Sequence, residues 1–251
     1  MTAIPEAPAV EFRHLTKMFG TRRVLDDLCL VVPRGRAVCL LGRSGTGKSV
    51  TLKHIVGLMR ADAGSVLVEG QDIASLGPRD LTRVRKRIGL LFQNGALFDS
   101  ISVGENVAFP MRRHLRLPDA EIRARAAHLL DQVGLGREYD TSPAALSGGM
   151  RKRAGLARAM ALEPALLLAD EPSAGLDPVT ASEIDQLLVD LKKRTGTTLI
   201  VVTHNIPSAR VIGDELVFLH EGRVIAQGDA AALERSDSAL VRQFMQSAGA
   251  G

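Results

Sequence analysis

Two hydrophobic periods alternate along this chain. Val10 to Leu15 alternates apolar and polar residues in strand fashion, and Val24 to Val32 reads as a second strand closed by the turn Pro33-Arg34-Gly35. Ala37 to Leu41 is a short, wholly apolar run, the mark of a buried strand. It leads directly into the loop GRSGTGKS and then Val50 to Met59, which has helical spacing. Ser65 to Glu69 predicts a strand, Arg79 to Arg87 a basic helix, and Ile88 to Phe92 another buried strand ending at Gln93. From about 94 to 163 the strand pattern stops. Glu121 to Val133 is amphipathic and Gly148 to Ala161 has helix-forming composition, so this stretch reads as a mostly helical insertion. Ala165 to Ala169 predicts a strand ending at Asp170-Glu171, Ala181 to Lys193 a helix, Thr197 to Val202 a strand, and Pro207 to Val211 the start of a helix. Glu215 to His220 and Arg223 to Gln227 flank Glu221-Gly222 as a hairpin, and 229–251 reads as helical, then Gly/Ala-rich. No internal repeat is visible.

Strands alternating with helices predict an α/β fold around a parallel sheet. In such sheets functional residues gather beyond the C-terminal strand ends. Gly42, Gln93, Asp170 and His204 each follow a predicted strand, which places four separate motifs at one expected edge.

Composition narrows the function. The 251 residues are 45% hydrophobic and 24% charged, enough for a substantial core with an ordinary soluble surface. With no Trp and one Tyr, an aromatic platform for single-stranded nucleic acid is not expected. The net charge of +4 suits either a solvated surface or an anionic neighbour such as a membrane face. Cys29 and Cys39 lie in apolar surroundings without a CxxC pair, so both are expected to be reduced and buried. The first ten residues, MTAIPEAPAV, do not have signal-peptide character, and residues 1–9 are expected to fray. No apolar run reaches the roughly 18 residues of a membrane span.

The chemistry concentrates in three places. GRSGTGKS fits the phosphate-loop pattern GxxxxGK[ST] at every fixed position. Gly42, Gly45 and Gly47 allow the backbone to wrap an anion, and the amides from Ser44 to Ser49 would point inward at a helix N-terminus. Lys48 would reach β- and γ-phosphates and the Ser49 hydroxyl would bind Mg2+. Leu166 to Ala169 then delivers Asp170 toward a Mg2+ ion and Glu171 toward an attacking water. Adjacent acidic residues are usually solvated surface. Their emergence from a buried strand downstream of a phosphate loop favours a metal and base pair. Third, Leu146-Ser147-Gly148-Gly149-Met150 offers a glycine pair behind a potential helix cap at Ser147.

That third segment resembles the LSGGQ signature of the ABC ATPases, with Met150 in place of Gln. The order of phosphate loop, Gln93, signature, Asp170-Glu171, Ser173-Ala174-Gly175-Leu176-Asp177 and His204 resembles an ABC nucleotide-binding domain over about residues 10–230, leaving 231–251 as a C-terminal tail. The resemblance implies a P-loop fold of ABC type. Its parts would be a mixed or parallel sheet core, a helical subdomain at about 94–163 and a small N-terminal antiparallel β region. It implies ATP and Mg2+, with Ser49, Gln93 and Asp170 at the metal and Glu171, His204, Lys48 and Gln93 in catalysis. Nucleotide contacts are implied for Phe19 on adenine and for Gly42, Arg43, Ser44, Gly45, Thr46, Gly47, Lys48, Ser49 and Val50. Gly148 and Asp177 are implied nucleotide contacts too, and Ser147 and Gly149 would complete the site of a second copy in a head-to-tail homodimer. Asn205 stands where many relatives carry Asp, and plain core packing is the alternative reading of Phe19.

Longer stretches, Phe92 to Phe98, Glu105 to Pro110, Gly148 to Ala159 and Glu171 to Pro178, resemble the MCE-linked, Mla-type phospholipid-transport ATPases. Amino-acid importers more often carry LSGGQQQR, which Met150-Arg151-Lys152-Arg153 does not match. The Mla resemblance implies an integral-membrane permease, a periplasmic MCE-domain protein and a small STAS-domain protein as partners, no nucleic acid, and a peripheral place on the cytoplasmic face of the inner membrane. Residues 94–112 are the expected permease contact. Arg151 to Arg153 read as a solvated helix face rather than a phosphate patch, and Val241 to Met245 as an exposed apolar tail for a neighbour. Three alternatives stay open: an importer of amino acids or other small solutes, a non-transport ABC ATPase acting on DNA or ribosomes, and a regulatory nucleotide binder without turnover.

Overall fold

A computed structural model describes residues 7–247. In chain order the elements are β1 (Val10–Phe19), β2 (Arg22–Val32), β3 (Ala37–Leu41), α1 (Lys48–Ile55), β4 (Ala63–Val68), β5 (Gln71–Asp72), α2 (Pro78–Arg85) and β6 (Ile88–Leu91). There follow α3 (Val103–His114), α4 (Asp119–Gln132), α5 (Gly148–Ala159), β7 (Leu166–Asp170), α6 (Pro178–Thr195) and β8 (Thr198–Val202). The chain ends with α7 (Ile206–Ile212), β9 (Glu215–His220), β10 (Arg223–Gly228), α8 (Ala230–Glu234) and α9 (Ala239–Gln246). They form two compact units, one of residues 1–85 with 204–251 and one of residues 86–203.

The first unit holds an antiparallel sheet in the order β2-β1-β4-β5. It also holds β3, paired in parallel with β9, which turns antiparallel into β10. β3 is buried at all five positions, as its unbroken apolar run predicts. β2 instead alternates: Leu28 and Leu30 are buried and Cys29 between them faces solvent. The expectation that both cysteines are buried therefore fails for Cys29, because a half-buried strand turns every second residue outward; Cys39, within β3, is buried. Within the segment expected to fray, Ala9 is buried, its N–H donates to the Val32 carbonyl at 2.9 Å, and its carbonyl accepts from Glu69 N–H at 3.0 Å. Residues 1–6 and 248–251 lie outside the described residues. The tail is also packed rather than exposed: Val241 and Met245 are buried, and the Phe244 ring meets Phe218 edge-on with centroids 4.8 Å apart. The high amphipathicity of α9 is satisfied within the chain itself.

In the second unit β6, β7 and β8 run parallel, with Leu90 opposite Leu168 and Leu168 opposite Ile200. Between β6 and β7 the described regular elements are all helical. Their core joins Val103, Val107 and Met111 of α3 to Ile122, Ala126 and Leu130 of α4 and Ala154 and Ala157 of α5. Pro110 inside α3 interrupts the pattern from which a helix is read. No described helix is long and apolar enough to cross a membrane.

Candidate functional site

The first unit carries the phosphate loop between β3 and α1. Gly42, Gly45 and Gly47 take φ of 150°, 79° and 98°. A side chain at Gly42 would collide with the Leu219 carbonyl of β9, and one at Gly47 would lie 2.6 Å from Leu25 Cδ2. Glycine is therefore required at both by conformation and by space. Thr46 Oγ1 donates to the Arg43 carbonyl at 2.9 Å, tightening the turn. Lys48 is 6% exposed, and its ammonium donates to the Gly42 carbonyl at 2.7 Å and the Arg43 carbonyl at 3.0 Å. The side chain thus folds back over the loop it belongs to. Gly47 caps α1 without a side-chain acceptor, so the helix opens on backbone amides. This donor set fits an anion such as a nucleotide phosphate. Phe19, at the end of β1, is 47% exposed, which answers the core-packing alternative. The preceding Met18 N–H donates to Asp62 at 2.6 Å, and that contact, with Lys17, holds the Asp62 carboxyl below the usual carboxylate range. His204 is exposed ahead of α7, whose N-cap Asn205 accepts from Ser208 N–H at 3.0 Å. Asn205 is thus the helix cap, a role Asp would fill equally well.

The second unit gathers the acidic pair, Gln93 and the glycine signature. β6 and β7 are parallel neighbours, so exposed Gln93, just after β6, and half-buried Asp170, at the end of β7, lie off the same sheet edge. Glu171 adopts φ of 50°, uncommon for a non-glycine residue, and donates its N–H to the Val202 carbonyl at 2.8 Å. The carboxylate accepts from the Thr203 hydroxyl at 3.2 Å. Asp170 and the Gln93 side-chain oxygen are donors of the hard kind Mg2+ prefers.

Ser147 caps α5, accepting from Met150 N–H at 3.2 Å. Gly149 is buried, and a Cβ there would stand 2.5 Å from Thr180 Cγ2 at the start of α6. The second signature glycine is therefore fixed by helix packing, whereas a Cβ at Gly148 would make an ordinary contact. Exposed Asp177 caps α6 through Val179 and Thr180 N–H at 3.1 and 3.0 Å. Hydrogen bonds from Thr180 chiefly keep its carboxyl below the usual range.

The basic run after the signature does not form a solvated face. Lys152 is 4% exposed and donates to the Ala174 carbonyl at 2.5 Å, with the Glu171 carbonyl at 3.4 Å; burial pushes its ammonium pKa down. Arg151 donates to the Leu146 carbonyl, and Arg153 pairs with Glu183. Arg158, further along α5, holds the loop after Gln93 through the Ala96 and Gly95 carbonyls at 2.7 and 2.9 Å. One helix thus braces both the loop beyond Gln93 and the loop beyond Glu171. Arg158 and Thr203 carry no motif in the sequence that marks them, and Lys152 there belongs to a run that reads as a solvated face. A buried lysine in a basic run resembles a solvated one until its acceptors are known.

The family described as ABC transporter matches residues 25–174. A probable ribonucleotide transport ATP-binding protein, mkl, of Mycobacterium leprae is 43% identical over 96% of this chain and 70% of its own length. The intermembrane phospholipid transport system ATP-binding protein MlaF of Escherichia coli is 39% identical over 95% and 89%. The methionine import ATP-binding protein MetN of Mesorhizobium japonicum is 44% identical over 87% of this chain but 60% of its own length. Among solved structures, the dimeric post-hydrolysis state of the ATP-binding cassette MJ0796, bound to ADP and Pi, is 33% identical. It superposes with a TM-score of 0.81 over 88% of this chain and 98% of that one. With the phosphate loop, acidic strand end and capped glycine signature in place, this chain belongs to the ABC transporter family, as an ATP-hydrolysing ATP-binding subunit that resembles its Mla-type members.

Proposed function

We propose that this ATPase drives a transporter moving phospholipid between inner and outer membranes, and so maintains outer-membrane lipid asymmetry. The observation that carries the reading is the match to MlaF, which spans 95% of this chain and 89% of that protein. The methionine importer is matched over 60% of its length. The mkl relative, at 43% identity, is named for ribonucleotide transport and supplies the competing cargo.

In this reading Gly42 to Val50 cradle the phosphates and Phe19 stacks on adenine. Lys48 exchanges its two loop carbonyls for β- and γ-phosphate oxygens. Ser49, Gln93 and Asp170 would hold Mg2+, which would supply charge neutralisation for phosphoryl transfer. Glu171 takes a proton from the attacking water, with the Thr203 hydroxyl orienting its carboxylate, and His204 contacts the γ-phosphate. Gly148 and Asp177 contact nucleotide too, and Ser147 and Gly149 complete the site of a second copy, so the working unit is a homodimer. Binding closes that dimer and hydrolysis reopens it, moving the attached permease. The assembly includes a periplasmic MCE-domain protein and a small STAS-domain protein and uses no nucleic acid. The chain sits peripherally on the cytoplasmic face of the inner membrane, with residues 94–112 against the permease.

The test is to isolate the membrane complex through this chain and reconstitute it in liposomes. ATP-dependent transfer of labelled phospholipid is expected. ATP-dependent uptake of methionine or a ribonucleotide, with no lipid transfer, would overturn the cargo and leave the ATPase assignment standing.

A further inference from the structure

Outside the set of residues placed in the nucleotide site, the antiparallel sheet presents His14, Asp27 and Cys29, all exposed. One ligand atom from each, His14 Nδ1, an Asp27 carboxylate oxygen and Cys29 Sγ, lies within 4.8 Å of the other two. Asp27 and Cys29 are two apart in β2, so they share a face. His14 joins them across a register shift between β1 and β2. Both His14 and Asp27 adopt left-handed φ, 50° and 55°. Gly64 of β4 backs this irregularity, since a Cβ there would collide with the His14 and Arg13 carbonyls. The backbone that aims His14 toward β2 is therefore fixed from behind.

The spacing matches a particular chemistry. A tetrahedral Zn2+ bound at about 2.3 Å by sulfur and about 2.0–2.1 Å by nitrogen sets those two atoms roughly 3.6 Å apart. Cys29 Sγ and His14 Nδ1 are 3.6 Å apart. Nitrogen and carboxylate oxygen on the same ion would lie roughly 3.3 Å apart. His14 Nδ1 and Asp27 Oδ1 are 2.8 Å apart as a hydrogen bond, so an ion entering between them needs a shift of about half an ångström. Exposed side chains, 77% for His14 and 53% for Asp27, permit that shift. The His14 N–H also points at Cys29 Sγ from 3.4 Å, a contact a metal-bound thiolate retains.

We propose that His14, Asp27 and Cys29 form a three-ligand site for a borderline-soft divalent cation of Zn2+ type, with water as fourth ligand. A thiolate, an imidazole and a carboxylate favour such an ion over Mg2+, which takes oxygen. On binding, the Cys29 thiol gives its proton to solvent, the His14–Asp27 hydrogen bond opens, and Zn–S, Zn–N and Zn–O bonds form; nothing is oxidised. The ion would pin β1 to β2 five residues before Phe19.

The experiment uses the untagged full chain, stripped of metal, against Zn2+ and Co2+. One high-affinity Zn2+ per chain is expected by competition with a chromophoric chelator, and Co2+ should give thiolate charge-transfer absorption. Cys29→Ser and His14→Ala should each weaken binding at least tenfold, while Cys29→Ser leaves ATP binding unchanged. Native thiol titration should find Cys29 reactive and Cys39 silent, with Zn2+ slowing the Cys29 reaction at least tenfold. Binding equally tight in Cys29→Ser, no sulfur-to-cobalt band, or unslowed modification of Cys29 would each overturn the site. Because Cys29→Ser replaces sulfur with oxygen at one exposed position, a folded variant is expected and the comparison stays valid.

Discussion

Asn106, in the first turn of α3, clasps the loop that leads into that helix. It is fully buried, and all of its side-chain hydrogen bonds go to backbone. Oδ1 accepts from Phe98 N–H at 2.7 Å, and Nδ2 reaches the Phe98, Ile101 and Ser102 carbonyls at 3.0, 3.3 and 3.0 Å. Asn106→Ala removes both ends of this clasp. The Ser102 carbonyl keeps Asn106 N–H at 2.9 Å, so it is not orphaned. Phe98 N–H and the Phe98 and Ile101 carbonyls lose the partner. A buried backbone group left unsatisfied costs about 1–3 kcal/mol, and water can reach part of this turn, so the sum is about 2–4 kcal/mol. For a chain of this size that lowers the melting temperature by roughly 4–16 °C. Phe98 is exposed on this turn, its ring 5.1 Å from the Phe109 ring, within the expected permease contact. ATP binding by the isolated chain should therefore persist while ATPase stimulation by the membrane complex falls. Thermal unfolding and hydrogen exchange check the energetics. A melting temperature within about 1 °C of wild type, with the Phe98 amide still protected, would refute the clasp.

Lys152→Met should lower turnover of the assembled complex by an order of magnitude or more while ATP binding is kept, because the loop carrying Glu171 loses its brace; single-turnover kinetics separates the two effects. Gly149→Ala should destabilise by about 1–3 kcal/mol through overpacking on Thr180, and adding Thr180→Ser, which removes the methyl but keeps the hydroxyl, should recover much of it in urea titrations. For Asp62 the carboxyl is depressed in the folded chain, so its stabilising contacts with Met18 and Lys17 are present above the ordinary carboxylate range and lost as pH falls through the depressed value. Asp62→Asn should flatten the acid limb of the stability–pH profile; an unchanged slope would argue against that contact.

Much of this arrangement was legible because local signals agreed with one another. The apolar run Ala37 to Leu41 and the glycines of the phosphate loop each name a conformation by themselves, and Asp170-Glu171 stands out from surface acid pairs because it ends a buried strand. α3 was not legible, since Pro110 sits within it and its packing partners lie in α4 and α5. Cys29 was misread because apolar neighbours in a half-buried strand alternate faces. The α9 residues Val241 and Met245 read as a free surface because their partners lie elsewhere in the chain. Lys152 was misread for the related reason that acceptor carbonyls in a distant loop leave no trace in the basic run itself. Asn205, a departure from the family pattern, turned out to be an ordinary helix cap.

The central claim is a shared ATP site in which Glu171 activates the water. Its most direct test is ATP turnover and dimerisation of Glu171→Gln, alone and in the isolated membrane complex, with Mg2+ and ATP. The account predicts a stable ATP-bound dimer by light scattering and turnover reduced by at least two orders of magnitude. Wild-type turnover in the complex, with no ATP-dependent dimer, would contradict it.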